Sequence, residues 1–144
     1  MKKYILLVLG LPFFFISNLF AAQEVTWTQF QLLETKAGSV EVGKPPEELT
    51  KLIAGEVSVK GFMMPMDYTQ KKISEFLLMP YIPACMHVPP PPANQLILVR
   101  MAKGKEVDPS FYPVEITGKV IIKPSLEFES SYEMTGESMK EITE

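Results

Sequence analysis

The stretch "EVSVKGFMMPM", residues 56–66, decides the fold because its apolar side chains recur at every second position. Val57 and Val59 alternate with polar residues, which is the period of a strand with one buried face. Gly61 interrupts the alternation, and a glycine inside a strand indicates a bulge or the close approach of another backbone. We predict that this stretch is the first long strand of a sheet.

Four further runs of strand-like sequence follow, separated by segments that contain Pro, Gly, Lys or Asp: "SEFLLMPYI" (74–82), "NQLILVRM" (94–101), "YPVEITGKVII" (112–122) and "SSYEMTG" (130–136). Five short strands suit a small closed or partly closed barrel, because a sandwich usually has more strands for its length. The sequence therefore predicts a mainly β fold, a small five-stranded OB-like barrel of the Greek-key type with one short helix.

The short helix is predicted in "PPEELTKLIAG", residues 45–55, directly before the first long strand. Prolines stand at its start, Glu47 and Glu48 lie near its positive end, and Gly55 ends it. Residues 25–33 are apolar enough to dock on a core, but the run is too short to classify as strand or helix.

The N-terminus has the pattern of an export signal. Lys2 and Lys3 precede an apolar run at residues 4–16, and a small pair, Ala21 and Ala22, follows. We predict that residues 1–22 are a signal peptide, that residues 23–144 form one domain, and that the protein is periplasmic. The apolar run is short for a membrane span, which needs about 20 residues, so we expect no stable membrane insertion once the signal is removed.

The charge of the predicted mature chain restricts its partners. Without Lys2 and Lys3, 12 basic side chains face 17 acidic ones, a net charge of −5. A chain of this sign lacks the basic surface that binds the phosphates of nucleic acid or an anionic membrane. We therefore expect neither as a partner, whereas the sequence gives no indication of the oligomeric state.

The segment "ACMHVPPPPANQ", residues 84–95, contains the only cysteine and the only histidine of the chain. In an extended segment, Cys85 and His87 point to the same side, so thiolate and imidazole can bind one zinc or copper ion. We expect a third ligand from "MMPMD", where Met63 offers a thioether suited to copper(I) and Asp67 an oxygen suited to zinc. The predicted metal ligands are Cys85, His87, Met63 and Asp67.

Two other interpretations of the same residues stay open. Cys85 can be a small buried thiol beside a hydrogen-bonded or exposed imidazole, with the methionines filling gaps in the core. Alternatively, Cys85 is a nucleophile and His87 its base, but no acidic residue nearby would orient the imidazole. We therefore expect that the protein is not an enzyme.

The four prolines at residues 89–92 lack N–H groups and have a fixed φ, so they cannot pair within a central strand. They predict a stiff, extended rim, and such a ridge also suits the docking of a partner protein. Asn94 and Gln95 are expected to satisfy the proline carbonyls. The predicted binding loop consists of Pro89, Pro90, Pro91, Pro92, Asn94 and Gln95.

In this order, "GFMMPM", "EFLLMPYIPACMHVPPPPANQLILV" and "YPVEITGKV" resemble the bacterial family catalogued as domain of unknown function 3299. The shared signature comprises Gly61, Phe62, Met63, Pro65, Pro80, Cys85, His87, Val88, Pro89, Pro90, Asn94 and Gln95. Many members have glutamate where this chain has Asp67.

The resemblance implies an exported envelope protein without an established activity. Members are often encoded beside ABC-type transporter components and sometimes with zinc-responsive genes, which favours a metal-handling accessory. Thiolate-imidazole chemistry places zinc slightly ahead of copper(I). The leading hypothesis is therefore a periplasmic protein that binds zinc or copper and assists an envelope transporter. The alternative is an adaptor without metal that docks through its proline-rich loop.

Overall fold

Residues 21–36, 39–83 and 87–143 are described by the computed structural model of the 144-residue chain. Strands dominate these residues, and each of the five predicted strands is present. In chain order the elements are β1 (Gln23–Glu24), α1 (Trp27–Phe30), α2 (Glu47–Leu52), β2 (Val57–Pro65), β3 (Glu75–Met79), a 3-10 turn (Ala93–Gln95), β4 (Ile97–Met101), β5 (Val114–Ser125) and β6 (Ser130–Glu141).

The five longer strands close into a barrel. Their order is β2-β3-β4-β6-β5, and β5 pairs back with β2. Strands β4 and β6 run parallel, whereas the other barrel pairs are antiparallel. The two-residue strand β1 adds to the start of β2 in parallel. The predicted mainly β, five-stranded barrel is confirmed, and its OB-like name stays a prediction.

Strand β2 changes partner at Gly61. Residues 57–61 pair with β5, and residues 62–65 pair with β3. A Cβ atom at Gly61 would lie 2.6 Å from the carbonyl oxygen of Met79 and 2.9 Å from the ring of Trp27. The predicted close backbone approach at this glycine is therefore confirmed.

Two short α-helices are present in the described residues, where the sequence predicted one. Helix α2 confirms that prediction, with two glutamates in its first turn and Leu49 buried. Helix α1 lies in the apolar run that the sequence left unclassified. It is a single turn with a capping box, in which the backbone N–H of Thr26 donates to Oε1 of Gln29 at 2.8 Å.

Tyr132 ties helix α1 to the barrel. Its side chain is fully buried, and its ring packs edge-on against Phe30 with the ring centroids 4.9 Å apart. Its hydroxyl donates to the carbonyl oxygen of Phe30 at 2.6 Å. Burial raises the pKa of Tyr132 well above its ordinary value, which keeps the hydroxyl protonated as a donor.

The predicted signal peptide, residues 1–22, lies outside the described residues except for Ala21 and Ala22. Its removal and the periplasmic location stay predictions. Among the residues that the structure describes, no helix is long and apolar enough to cross a membrane.

Candidate functional site

The proline run, residues 89–92, is predicted by the sequence to be a stiff, extended rim, because each proline ring fixes φ. Residues 87–92 belong to no strand, and Pro92 has φ −66° and ψ 161°, close to polyproline geometry. The hydroxyl of Tyr81 donates to the carbonyl oxygen of Pro89 at 3.2 Å and holds the start of the run. Pro91 is buried and its three neighbours in the run are exposed.

A groove of about 510 Å³ lies beside this run, and we call it the proline groove. Its walls come from three separate parts of the chain: the prolines with the 3-10 turn, the segment around residue 40, and the turn between β5 and β6. The lining residues are Thr35, Lys36, Ser39, Val40, Pro89, Pro90, Pro91, Pro92, Ala93, Leu126 and Glu129.

The turn between β5 and β6 gives the groove its most exposed apolar side chain. Leu126 is 84% exposed, although it is a large apolar residue. Phe128 in the same turn packs instead against Leu98 and its neighbours on the outer face of the barrel. Glu129 has φ 51°, a left-handed conformation that turns the chain into β6. Phe128 therefore anchors the turn while Leu126 remains available for contact.

Some buried polar atoms without a hydrogen-bond partner belong to residues that are close in sequence to the groove lining. The side-chain amide of Asn94 donates to the carbonyl oxygen of Leu33 at 2.9 Å, which fixes the 3-10 turn to the turn that follows α1. Within the described residues, Oδ1 of Asn94 and the hydroxyls of Ser130 and Ser131 are buried without a hydrogen-bond partner. Buried polar atoms usually have partners, so this edge of the site is unusual.

The sequence predicts that the side-chain amides of Asn94 and Gln95 satisfy proline carbonyls, but the hydrogen bonds in the described residues are different ones. Gln95 serves the proline run through its backbone N–H, which donates to the carbonyl oxygen of Pro92 at 2.8 Å. The amide of Asn94 reaches Leu33 rather than a proline carbonyl. Its role is to position the end of the run relative to helix α1.

Of the four predicted metal ligands, the structure describes His87, Met63 and Asp67. Cys85 lies outside the described residues, and His87 is exposed. Met63 is buried, and its sulfur accepts the backbone N–H of Ser110 at 3.2 Å. In residues 21–36, 39–83 and 87–143, no group of three or more His, Cys, Asp or Glu side chains is placed to hold a metal ion. The ligand set therefore stays a prediction.

Asp67, the predicted oxygen ligand, is occupied by its own turn. Its carboxylate accepts hydrogen bonds from the hydroxyl of Thr69 at 2.6 Å, from the N–H of the same residue at 2.8 Å, and from Gln70 at 3.1 Å. These bonds, chiefly the one from the Thr69 hydroxyl, lower the pKa of Asp67. Metal binding by Asp67 would have to compete with this turn.

The residues of the walls opposite the prolines could not be recognised from the sequence. Thr35, Ser39 and Val40 lie in a polar stretch without a recognisable motif. Leu126 did leave a signal, since it is apolar within the polar turn "KPSLEFES", residues 123–130. An apolar residue in a polar turn is a candidate contact residue, but its position beside the prolines depends on the pairing of β5 with β6.

Comparisons with known proteins identify the family. Residues 22–141 match the family described as "Protein of unknown function (DUF3299)". The crystal structure of a DUF3299 family protein from Pseudomonas aeruginosa PAO1 is similar, with a TM-score of 0.58 and 27% sequence identity. That alignment covers 86% of this chain and 98% of the other. No curated protein matches the chain. The chain belongs to the DUF3299 family of proteins of unknown function.

Proposed function

We propose that the protein is a periplasmic binding module that holds an extended segment of a partner protein in the proline groove. One observation carries the proposal: four consecutive prolines line a groove of about 510 Å³ that also contains the exposed Leu126. The proposal develops the alternative of an adaptor that docks through its proline-rich loop.

The stiffness of the prolines favours binding. A segment with fixed φ angles loses little conformational entropy when a ligand packs against it, and this loss is a major cost of association. The pyrrolidine rings, Val40 and Leu126 provide apolar contact area. The hydroxyls of Thr35 and Ser39 provide hydrogen-bonding groups for a peptide backbone.

The open form of the groove favours a polypeptide over a small molecule. Small ligands usually bind in sites that enclose about 70–90% of their surface. Here Pro89, Pro90 and Leu126 are exposed, so this part of the lining is open to solvent. We propose that the partner segment is extended and inserts an aromatic or large aliphatic side chain between the prolines and Leu126.

The cellular setting within this proposal rests on the sequence. The predicted signal peptide supports a periplasmic location, and the family resemblance makes a component of an envelope transporter the first partner to test. The proposed role is binding without catalysis. The exposed ion pair between Lys36 and Glu41, 2.9 Å apart at the edge of the groove, contributes little to affinity because solvent screens it.

Site-specific photo-crosslinking in cells tests the proposal. A photoreactive side chain replaces Leu126, and a matched control replaces Ile121, which is also exposed but does not line the groove. We expect a defined adduct with one envelope protein from position 126, and none from position 121. If position 126 gives no more adduct than position 121, the groove is not a protein-binding site.

A synthetic peptide that corresponds to the crosslinked segment then gives the affinity. Burial of a leucine side chain contributes about 1.5–3 kcal/mol, so Leu126→Ser should weaken binding by a factor of at least about ten. Ile121→Ser should leave the dissociation constant unchanged. Equal affinity of the wild-type protein and Leu126→Ser would contradict the proposed contact.

A further inference from the structure

The loop at residues 109–113 presents two aromatic side chains to solvent. Phe111 is 79% exposed and Tyr112 is 64% exposed, between Pro109 and Pro113. Exposed phenylalanine is unfavourable in a monomer, because a large apolar surface remains in contact with water. This loop shares no residue with the lining of the proline groove.

Ser110 holds the loop in a defined conformation. Its backbone N–H donates to the sulfur of Met63 at 3.2 Å, and its hydroxyl donates to the carboxylate of Glu141 at 2.6 Å. The same hydroxyl accepts the backbone N–H of Tyr112 at 3.0 Å. Phe111 is therefore presented from an ordered backbone, which reduces the entropy lost when it packs against a partner.

A small apolar cleft lies directly beside Phe111, and we call it the Phe111 cleft. Its volume is about 130 Å³, and its walls include Met64, Tyr68, Met79 and Ile82 together with Phe111 itself. An apolar cavity of about 150 Å³ binds a benzene ring. The cleft therefore has the size for one phenylalanine ring, and methionine sulfurs make favourable contacts with aromatic rings.

A protruding ring and a cleft of matching size on one surface make that surface self-complementary. In a two-fold dimer, both copies contribute the same surface patch to the interface, so each contact occurs twice. Phe111 of each copy can then fill the cleft of its partner. No partner of different shape is needed to cover both features.

The apolar area of this surface approaches that of a stable dimer. Exposed apolar side chains of the cleft and its sequence neighbours are Met64, Met66, Tyr68, Ile82, Phe111 and Tyr112. Together they expose roughly 600 Å² per copy, given that aromatic side chains bury about 150–250 Å² each, and a standard interface buries about 800 Å² per partner. Backbone and polar atoms at the rim supply the remainder.

We propose that the protein forms a two-fold symmetric homodimer in which Phe111 of each copy inserts into the Phe111 cleft of the other. The dimer goes beyond the proposed function and does not depend on it, because the Phe111 cleft and the proline groove share no lining residue. The interface combines a central aromatic anchor with a pocket that excludes water, the usual composition of a binding hot spot.

Sedimentation equilibrium of the full-length purified protein tests the dimer. We expect twice the chain mass for the wild-type protein at micromolar concentrations, and a twofold lower mass for Phe111→Ser. Ile121→Ser removes an exposed apolar side chain outside the cleft and should remain dimeric. The unfolding temperature of Phe111→Ser should match that of the dissociated wild-type protein, since the ring of Phe111 is exposed in the monomer.

A photoreactive side chain at position 111 provides the second measurement. We expect a covalent dimer whose crosslinks map to Met64, Tyr68 or Ile82, and mixing of isotope-labelled and unlabelled chains should show that these crosslinks join two copies. A wild-type protein that is monomeric at several hundred micromolar overturns the proposal. A monomer that binds phosphatidylcholine vesicles through Phe111 overturns it too, and assigns the surface to lipid.

Discussion

Gly61 shows how a single residue permits the closure of the barrel. Strand β2 must pass between Met79 and Trp27 where it changes partner, and the space there excludes a Cβ atom. Gly61→Ala should therefore lower the free energy of unfolding by about 1–3 kcal/mol, the usual cost of overpacking. Urea denaturation monitored by the fluorescence of Trp27 measures this change.

The matched control for Gly61 is Gly55→Ala, because no atom lies within 4 Å of a Cβ atom at Gly55. This change should be neutral or slightly stabilising, since alanine restricts the unfolded chain. Equal stability of the two variants would show that the close approach at Gly61 is not limiting.

Tyr132 should give the protein a distinct stability profile at alkaline pH. Burial raises the pKa of Tyr132 in the folded protein, whereas the unfolded chain has the ordinary value of about 10. At a pH between these two values, the unfolded chain has lost the hydroxyl proton and the native chain retains it. The free energy of unfolding should then fall by up to about 1.4 kcal/mol per pH unit above pH 10.

Tyr132→Phe should remove this part of the alkaline destabilisation. It should also cost about 1–2 kcal/mol at neutral pH, because the carbonyl oxygen of Phe30 loses its donor. Tyr112→Phe is the control, since Tyr112 is exposed. Parallel pH profiles for wild type and Tyr132→Phe would contradict the role of burial. Denaturation midpoints from pH 7 to 11 provide the comparison.

The predicted metal site depends on two side chains that are close together in the sequence. Cys85 and His87 are two positions apart, and we expect near-stoichiometric zinc or copper in protein purified without chelator. Cys85→Ser combined with His87→Ala should abolish metal retention, as measured by elemental analysis. Asp67→Asn should weaken metal retention if Asp67 is the third ligand, because a neutral amide oxygen binds a cation less strongly than a carboxylate oxygen does. If the wild-type protein neither retains nor takes up either metal, the prediction is wrong.

At the level of elements, four strands are linked on the outer face of the barrel by ion pairs. Arg100 of β4 donates to Glu75 of β3 and to Glu133 of β6, and Lys123 of β5 donates to Glu133. The hydrogen bond from Lys123 is the main cause that lowers the pKa of Glu133, and the charge of Arg100 adds to it. The carboxylate is therefore kept ionised in the folded state.

Disruption of these ion pairs should cost little stability at high salt. Arg100→Gln should lower the free energy of unfolding by about 1 kcal/mol in low salt, and by less in 1 M salt, because the pairs are partly exposed. The ionised Glu133 should stabilise the folded protein above its unfolded pKa of about 4.3. This stabilisation should be lost as the pH falls through the lower pKa of the folded state. A salt-independent loss in Arg100→Gln would indicate that packing of the arginine stem dominates. Urea titrations at two ionic strengths separate these contributions.

Elements differ in how well their sequence predicted them. The alternation in β2 and the proline, glutamates and glycine around α2 are local signals, and both elements lie where they were predicted. Helix α1 is a single turn whose cap consists of Thr26 and Gln29, so its sequence carries no helical period. Strand β6 extends to Glu141 because β5 pairs with it along its length, and such pairing cannot be predicted from β6 alone.

For the whole molecule, the barrel was predictable but its surfaces were not. Five alternating runs imply a closed sheet, whereas the proline groove needs residues 35, 89 and 126 to meet in space. The Phe111 cleft likewise combines residues from β2, from β3 and from the loop before β5. Such surfaces depend on strand order and register, and a single sequence specifies neither directly.

The two surfaces give the molecule a bivalent architecture, if each has its proposed occupant. A two-fold dimer through the Phe111 cleft carries two proline grooves. Once one segment of a partner is bound, a second segment of the same partner is held near the other groove, which raises the overall affinity. Leu126→Ser should then abolish partner binding and leave the mass at that of a dimer. Phe111→Ser should retain the affinity for a single peptide but bind a tandem peptide at least about tenfold more weakly than wild type does. Fluorescence anisotropy with single and tandem peptides measures both affinities. If Phe111→Ser binds both peptides more weakly by the same factor, the two surfaces are not independent.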